Sequence, residues 1–295
     1  MSPPEIRPRV AYLGPEGTFS EEALLASATA DSVEPVPRAS IYDTVVALRE
    51  GDVEWAIVPI ENSLDGSLSV TLDLLADESG DVRIVGETLL TVRHSLIAGQ
   101  PVELKEIDTV LSHPQVPGQC SRFLRGELAH ARVLPASSTA EAVREVVEDA
   151  RPGRAALGTR LAADIYGGTV VRAEVQDRDD NETRFVWLAL SSEATSTAPP
   201  MRAVAEHGKW KTSLVFWGAG ADSPGWLVRC LDEFARRKIN LTKIESRPRR
   251  ERLGHYMFFV DLEGAPRTEQ GVSDAVADLR ETCEEVRVLG SYPAA

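Results

Sequence analysis

Two α/β lobes with a cleft between them, followed by a smaller second domain, form the fold the sequence predicts. Three observations predict it. From residue 9 to about residue 190 the pattern strand, polar turn, capped helix repeats, which marks parallel strands covered by helices. Residues 191–200 read Ser-Ser-Glu-Ala-Thr-Ser-Thr-Ala-Pro-Pro, and periodicity does not resume until about Lys211. Residues 211–292 then read β-α-β-β-α-β, the order of a ferredoxin-like split βαβ. The expected divisions are 1–190, a linker at 191–210, and 211–292.

In chain order, residues 9–13 (Arg-Val-Ala-Tyr-Leu) form a short strand that ends in the turn Gly14-Pro15-Glu16-Gly17. Thr18-Phe19-Ser20-Glu21 matches a capping box and opens a helix. A strand, a glycine turn and a capped helix together make an anion cradle or an ordinary βα connection, and both readings stay open. Ser40 opens a second helix to about Glu50, and residues 55–60 form a buried strand that runs into Glu61-Asn62-Ser63-Leu64-Asp65-Gly66-Ser67. A helix through residues 70–75 follows. Residues 82–98 alternate in hydrophobicity and read as one long or two linked strands.

Residues 107–111 form a strand that delivers Ser112-His113-Pro114-Gln115. The helix beyond it places Val116, Cys120, Phe123, Leu124 and Leu128 on one face, with Gln119 a turn inside. Ser138-Thr139-Ala140-Glu141 opens another capped helix to about Ala150. Residues 155–158 form a strand, 159–165 a short helix, and 169–171 an extended return. Asp179-Asp180-Asn181-Glu182-Thr183-Arg184-Phe185 then sets polar groups at the mouth of the buried strand Val186-Trp187-Leu188-Ala189-Leu190. In open α/β sheets ligands bind at such positions. In the last domain the strands fall near 212–217, 241–246, 255–262 and 285–289, and the helices near 226–237 and 271–283. So small a sheet is expected to leave one face free to pack on another copy.

Composition narrows the function. Apolar content of 43% with 26% charged residues is the profile of a globular protein. No apolar run approaches the ~18 residues a membrane span needs, and the N-terminus lacks an apolar export segment, so a cytoplasmic location is expected. A net charge of −14 argues against nucleic acid as a partner. It also means that any anion site must be built locally, from helix N-termini and a few arginines. Cys120, Cys230 and Cys283 read as reduced core thiols, and the five histidines show no metal-ligand spacing.

The polar turns form a recognisable set. Gly14-Pro15-Glu16-Gly17-Thr18-Phe19-Ser20, Pro59-Ile60-Glu61-Asn62-Ser63 and Ser112-His113-Pro114-Gln115 with Gln119-Cys120 come first. Ser138-Thr139-Ala140-Glu141-Ala142, Thr183-Arg184-Phe185 and Ile244-Glu245-Ser246-Arg247-Pro248 complete it. With these six in order, the chain resembles the prephenate dehydratases over nearly its whole length.

The resemblance implies a catalytic domain like the two-lobed periplasmic binding proteins and a C-terminal ACT domain that senses L-phenylalanine. It implies conversion of prephenate to phenylpyruvate, carbon dioxide and water in L-phenylalanine biosynthesis, with no metal or organic cofactor. Thr183 becomes the expected donor to the departing hydroxyl, with Asn62, Ser112 and Gln119 as neutral partners. Arg184 is either a carboxylate clamp or a structural salt bridge. Glu61 is either an acid of raised pKa or a buried anchor, and His113 a turn residue or a general acid. Thr18, Phe19, Ser63, Ser138, Thr139 and Phe185 are expected to bind substrate, with the helix N-termini after Gly17, at Ser40 and at Ser138 pointing inward, those after Gly17 and at Ser138 foremost.

Gly225, Trp226, Leu227, Asn240, Glu245, Ser246, Arg247 and Pro248 match the effector-binding stretches. The match departs from the family at Trp226, where the family's Gly-Ala-Leu carries a methyl. The added indole is expected to weaken or alter feedback by phenylalanine. A homodimer or homotetramer is implied. Arogenate is the rival substrate, and a non-catalytic solute-binding and amino-acid-sensing protein is the reading from another class.

Overall fold

The structure, a computed structural model, describes residues 7–29, 32–77, 80–149, 151–191, 199–202, 209–218 and 223–295. The first stretch comprises β1 (Arg9–Leu13), α1 (Phe19–Ser27), β2 (Glu34–Arg38), α2 (Ile41–Arg49), β3 (Trp55–Asn62), β4 (Gly66–Ser67), α3 (Ser69–Leu75) and β5 (Val82–Thr91). Next come β6 (Ser95–Ala98), β7 (Thr109–Ser112), α4 (Val116–Gln119), α5 (Ser121–Glu127), β8 (Arg132–Pro135), α6 (Thr139–Asp149), β9 (Arg154–Gly158), α7 (Arg160–Tyr166) and β10 (Thr169–Arg172). β11 (Glu182–Leu190) precedes the last set: β12 (Trp210–Trp217), α8 (Trp226–Ala235), β13 (Leu241–Pro248), β14 (Tyr256–Glu263), α9 (Gln270–Thr282) and β15 (Glu285–Pro293).

These strands form three sheets. The first runs β2-β1-β3-β11-β5 with β4 on β3, the second β10-β6-β9-β7-β8, and the third β13-β14-β12-β15. Parallel pairing holds for β2-β1-β3 and for β8-β7-β9. The strands that join the lobes run the other way: β11 is antiparallel to β3 and β5, and β6 to β9 and β10. The expectation of parallel strands is therefore corrected to two mixed sheets. The reason is the path, since the chain leaves the first sheet after β5, returns after β10, and crosses the cleft twice.

The two crossings lie side by side. Val92 N donates to Asn181 O at 2.8 Å, and Val175 N to His94 O at 2.8 Å. The lobes also meet at Gly17, whose φ of 82° and position against Ala162 leave no room for a Cβ, which would stand 2.8 Å from Ala162 Cα. Thr159 Oγ1 donates to Gly17 O at 2.6 Å across this contact.

The helix expected over residues 116–128 is broken at Cys120 into α4 and α5. The linker expected at 191–210 lies partly outside the described residues. Of its described part, Met201 bridges to Ala28 and packs against Gly86 of the first sheet.

The C-terminal sheet has the strand order of a ferredoxin-like split βαβ. α8 and α9 cover one face, burying Leu214, Phe216, Phe234, Val260 and Leu279. The other face is not free. Val215, Phe259, Leu289 and Tyr292 share one core with Leu48, Ile60 and Leu72 of the first lobe. A Cβ at Gly290 would stand 2.1 Å from Ile84 O, so the backbones of β15 and β5 approach as only glycine allows. Of the two edge strands of this sheet, β15 lies against β5 and β13 carries Ile244 half exposed.

Candidate active site

A cleft of about 500 Å³ lies between the first two sheets. The first lobe lines it with the turn after β1, the N-terminus of α1, the end of β3 and the start of β11. The second lobe contributes the turn after β7, α4 and the N-terminus of α6. The two crossings supply Val92, His94 and Asn181 as its floor.

Two helix N-termini face this space. Thr18 caps α1 by accepting from Glu21 N, while its own hydroxyl donates to Leu13 O. Ser138 caps α6 by accepting from Glu141 N at 3.0 Å. Each aligned helix places about half a positive charge at this end. The capping boxes are half formed: Glu21 reaches back to Gly17 N, and Glu141 turns to Arg144. Ser40 caps α2 outside the cleft, and only its neighbour Ala39 reaches the lining.

Thr183 opens β11 opposite Asn62 of β3. Asn62 Oδ1 accepts from Leu64 N and Asp65 N at 2.9 and 3.0 Å, which fixes the amide with its nitrogen inward. Asn62 Nδ2 donates to Thr183 Oγ1 and to Asn181 Oδ1, both at 2.9 Å. The threonine oxygen is thus an acceptor within the protein, and its own proton is left to donate elsewhere. Asn181 Nδ2 donates to Gln119 Oε1 at 3.2 Å, and Gln119 Nε2 to Asp65 Oδ2 at 3.3 Å. His94 Nε2 meets Gln119 Oε1 at 3.0 Å. One hydrogen-bonded chain therefore runs from His94 through Gln119, Asn181 and Asn62 to Thr183.

Of the residues singled out from the sequence, Thr183, Asn62, Gln119, Thr18, Phe19, Ser138 and Thr139 line the cleft. Five expected residues are not among the lining. Ser112 is buried at the end of β7, with its hydroxyl on His113 O. Ser63 ties the turn after β3 to the backbone at Asp180 and Glu182. Phe185 is a core side chain packed with Trp187 and Ile57.

Glu61 and Arg184 turn to the opposite face, toward the C-terminal sheet. Arg184 Nε donates to Glu87 Oε2 at 2.6 Å, Nη1 to Asp261 Oδ2 at 2.5 Å and Nη2 to Tyr292 OH at 2.7 Å. Lys211 Nζ also reaches Glu87, and Lys243 Nζ pairs with Glu61 at 3.1 Å. Three cations and three carboxylates thus balance at the junction of the domains. A carboxylate clamp at Arg184 is corrected to a buried junction, because residues alternate across a strand and Thr183 takes the cleft side.

Sequence reasoning missed His94, Asp65 and Asn181 as lining residues. Asn181 stands just ahead of β11, two positions before Thr183, and lines the cleft beside it. His94 belongs to the polar break Arg93-His94-Ser95 between two apolar strands. Burial lowers the pKa of His94, opposed by its bond to Gln119.

At the expected effector stretches, Gly225 caps α8 with φ 79°. The Trp226 indole turns inward, 8% exposed, between Phe216 and Phe258, with Nε1 donating to Thr282 O at 3.2 Å. Glu245 and Arg247 point at the first lobe, where Ser67 donates to Glu245 and Arg247 pairs with Asp73 at 2.9 Å. Asn240 O accepts from Glu263 N, and Leu227 is partly buried, whereas Ser246 and Pro248 are exposed.

Comparison with known proteins relates the chain to one family. The family model described as prephenate dehydratase matches residues 10–193. A relative named prephenate dehydratase from Mycolicibacterium vanbaalenii is 38% identical, over 97% of this chain and 91% of its own. A crystal structure of prephenate dehydratase in complex with L-Phe from Arthrobacter aurescens is 35% identical, with a TM-score of 0.84 over 97% of this chain and 90% of that one. A solved structure described as GqqA, a novel type of quorum quenching acylase, is 26% identical, with a TM-score of 0.82 over 97% of this chain and 98% of that one.

Proposed function

The chain belongs to the prephenate dehydratase family, and from that membership we propose that it is a lyase converting prephenate to phenylpyruvate in L-phenylalanine biosynthesis. The observation that carries this reading is the Thr183 hydroxyl, whose oxygen is held by Asn62 and whose proton is free to face the cleft.

The chemistry needs little more. The C–C bond to the ring carboxylate breaks, carbon dioxide leaves, and the electron pair enters the ring as the hydroxyl departs. A dianion thereby gives a monoanion, carbon dioxide and water, so one proton is consumed per turnover. Aromatisation drives the reaction. The protein aligns the two departing groups and donates a hydrogen bond from Thr183 to the leaving oxygen. One preorganised donor of that kind contributes about 3–4 kcal/mol in the transition state. The N-termini of α1 and α6 supply partial positive charge for the carboxylates.

Ultraviolet absorbance of phenylpyruvate after incubation with prephenate tests the assignment, and parallel incubation with arogenate tests substrate choice. Faster turnover of arogenate would reassign the substrate. Acyl transfer, suggested by the acylase neighbour, is the weaker reading. The partner of Thr183 is an amide donor, which cannot take the proton a nucleophilic hydroxyl must lose.

We further infer that the C-terminal β-α-β-β-α-β unit is an ACT domain and that L-phenylalanine regulates through it. The strand order and the L-Phe complex of the Arthrobacter relative support this. The inward indole of Trp226 fills space beside Phe216 and Phe258, which supports weakened or altered effector binding. Assembly as a dimer or tetramer fits the unpaired edge of β13 with Ile244 half exposed, and light scattering after size-exclusion chromatography reads the state directly.

A further inference from the structure

The lining of the cleft includes, among the described residues, no arginine or lysine, and Asp65 is its one carboxylate. The proposed substrate is a dianion. Two helix N-termini offer only partial charges against it. The lining side chains that can become cationic are His94 and His113.

Geometry separates these two. His113 is partly exposed in the turn after β7. His94 is 1% exposed on the floor, with its ring edge-on to Phe19 at 5.3 Å between centroids. Its tautomer is set by the chain that starts at Leu64 N and Asp65 N. Each amide in turn has its oxygen and nitrogen assigned by the donor before it, and Gln119 presents an acceptor oxygen to His94 Nε2. The hydrogen therefore sits on Nε2. Nδ1 keeps a lone pair and is buried without a hydrogen-bond partner among the described residues. Buried polar atoms are normally partnered, so this one is poised to acquire a partner when the cleft fills.

We propose that His94 binds substrate: when the dianion enters, Nδ1 takes up one proton from solvent, and the imidazolium, anchored to Gln119 through Nε2–H, donates Nδ1–H to a substrate carboxylate. This rests on the prephenate dehydratase reading. Burial keeps the empty ring neutral by lowering its pKa, and a nearby double negative charge reverses that balance. The charged or titratable groups on the surrounding elements are Asp65 beyond Gln119, His113 after β7, Asp177 held by Ser121, the Arg93–Asp179 pair along the crossings, and Glu21 and Glu22 in the first turn of α1. None of them hydrogen-bonds the imidazole, so the substrate supplies the field.

The test is rapid mixing of the Thr183→Ala protein with prephenate in weak buffer containing a pH indicator. A burst of about one proton taken up per site is expected before any slow turnover. His94→Gln in the same background retains a side-chain donor toward Gln119 and cannot titrate. It should abolish the burst and weaken prephenate binding at least about tenfold. With Thr183 intact, His94→Gln should raise KM far more than it lowers kcat. It should also flatten a fall in kcat/KM of about tenfold per pH unit above neutrality.

Prephenate binding without a burst, a burst that survives His94→Gln, or one lost in His113→Gln overturns the proposal. If His94→Gln fails to fold, the ¹⁵N resonance of His94 Nδ1 in the Thr183→Ala protein decides, because an unchanged, unprotonated signal with prephenate bound also overturns it. Turnover of prephenate by the unaltered protein with no proton taken up on binding, beyond the one the reaction itself consumes, sinks this inference alone. No turnover by the unaltered protein sinks the functional reading and this inference with it.

Discussion

Thr183 and Arg184, consecutive on β11, leave the strand on opposite faces, one into the cleft and the other into a buried ion cluster shared with Asp261 and Tyr292 of the C-terminal sheet. A hydroxyl donor and a domain junction are thus built on neighbouring α-carbons. The following predictions separate their roles.

Thr183→Ala should lower kcat on prephenate by at least about 10²-fold with the fold intact, the loss expected for one preorganised donor. Thr183→Ser should retain most of the rate. Asn62→Asp removes the Nδ2 donor that holds Thr183 and should lower kcat in the same direction. Steady-state assays with circular dichroism as the folding control check all three, and a wild-type rate for Thr183→Ala would refute the role.

Arg184→Met leaves Glu87 and Asp261 buried against fewer cations. Removing one member of a buried ion cluster typically costs about 3–5 kcal/mol. The stability loss should appear in urea unfolding and should exceed that of Arg172→Met, whose pair with Glu127 is half exposed. Equal losses for the two variants would mean that the junction contributes no more than a surface pair.

L-Phenylalanine should bind the unaltered protein more weakly than micromolar, because the Trp226 indole occupies interior space beside Phe216 and Phe258. Trp226→Ala should tighten that binding while costing about 3–5 kcal/mol of stability. Titration calorimetry reads both proteins, and ordinary micromolar binding to the unaltered one counts against the idea.

Glu22, in the first turn of α1, is pushed up to about 7 by burial. A raised pKa in the folded state means that the native protein holds the proton more tightly than the unfolded chain. Stability from this group is therefore fully present below about 4.5 and is lost as pH rises toward 7. Glu22→Gln should flatten that part of the stability–pH curve and raise the urea midpoint at pH 8. A parallel curve for the two proteins would show that Glu22 titrates normally.

Much of the architecture was legible because local signals agreed with the final packing. The caps at Thr18, Ser40 and Ser138 marked helix starts, and the alternation over 82–98 marked β5 and β6. β2 was illegible for a definite reason. Pro35 and Pro37 lack N–H donors and argue against a strand, yet β2 lies at the edge of the first sheet, where such donors are dispensable.

In the site, Thr183, Asn62 and Gln119 were readable from motif and turn. The direction of Arg184 was not, because its partners Asp261 and Tyr292 lie 77 and 108 residues downstream. His94 carried only a weak signal, since a single polar residue between apolar strands does not reveal which space it faces.

The paired crossings at residues 92–94 and 173–181 form the floor of the cleft and carry the chain between its two walls. Any swing of one lobe against the other bends the segments that carry His94 and Asn181. A ligand held by both side chains therefore ties the two segments to each other at the point where the chain passes between the lobes.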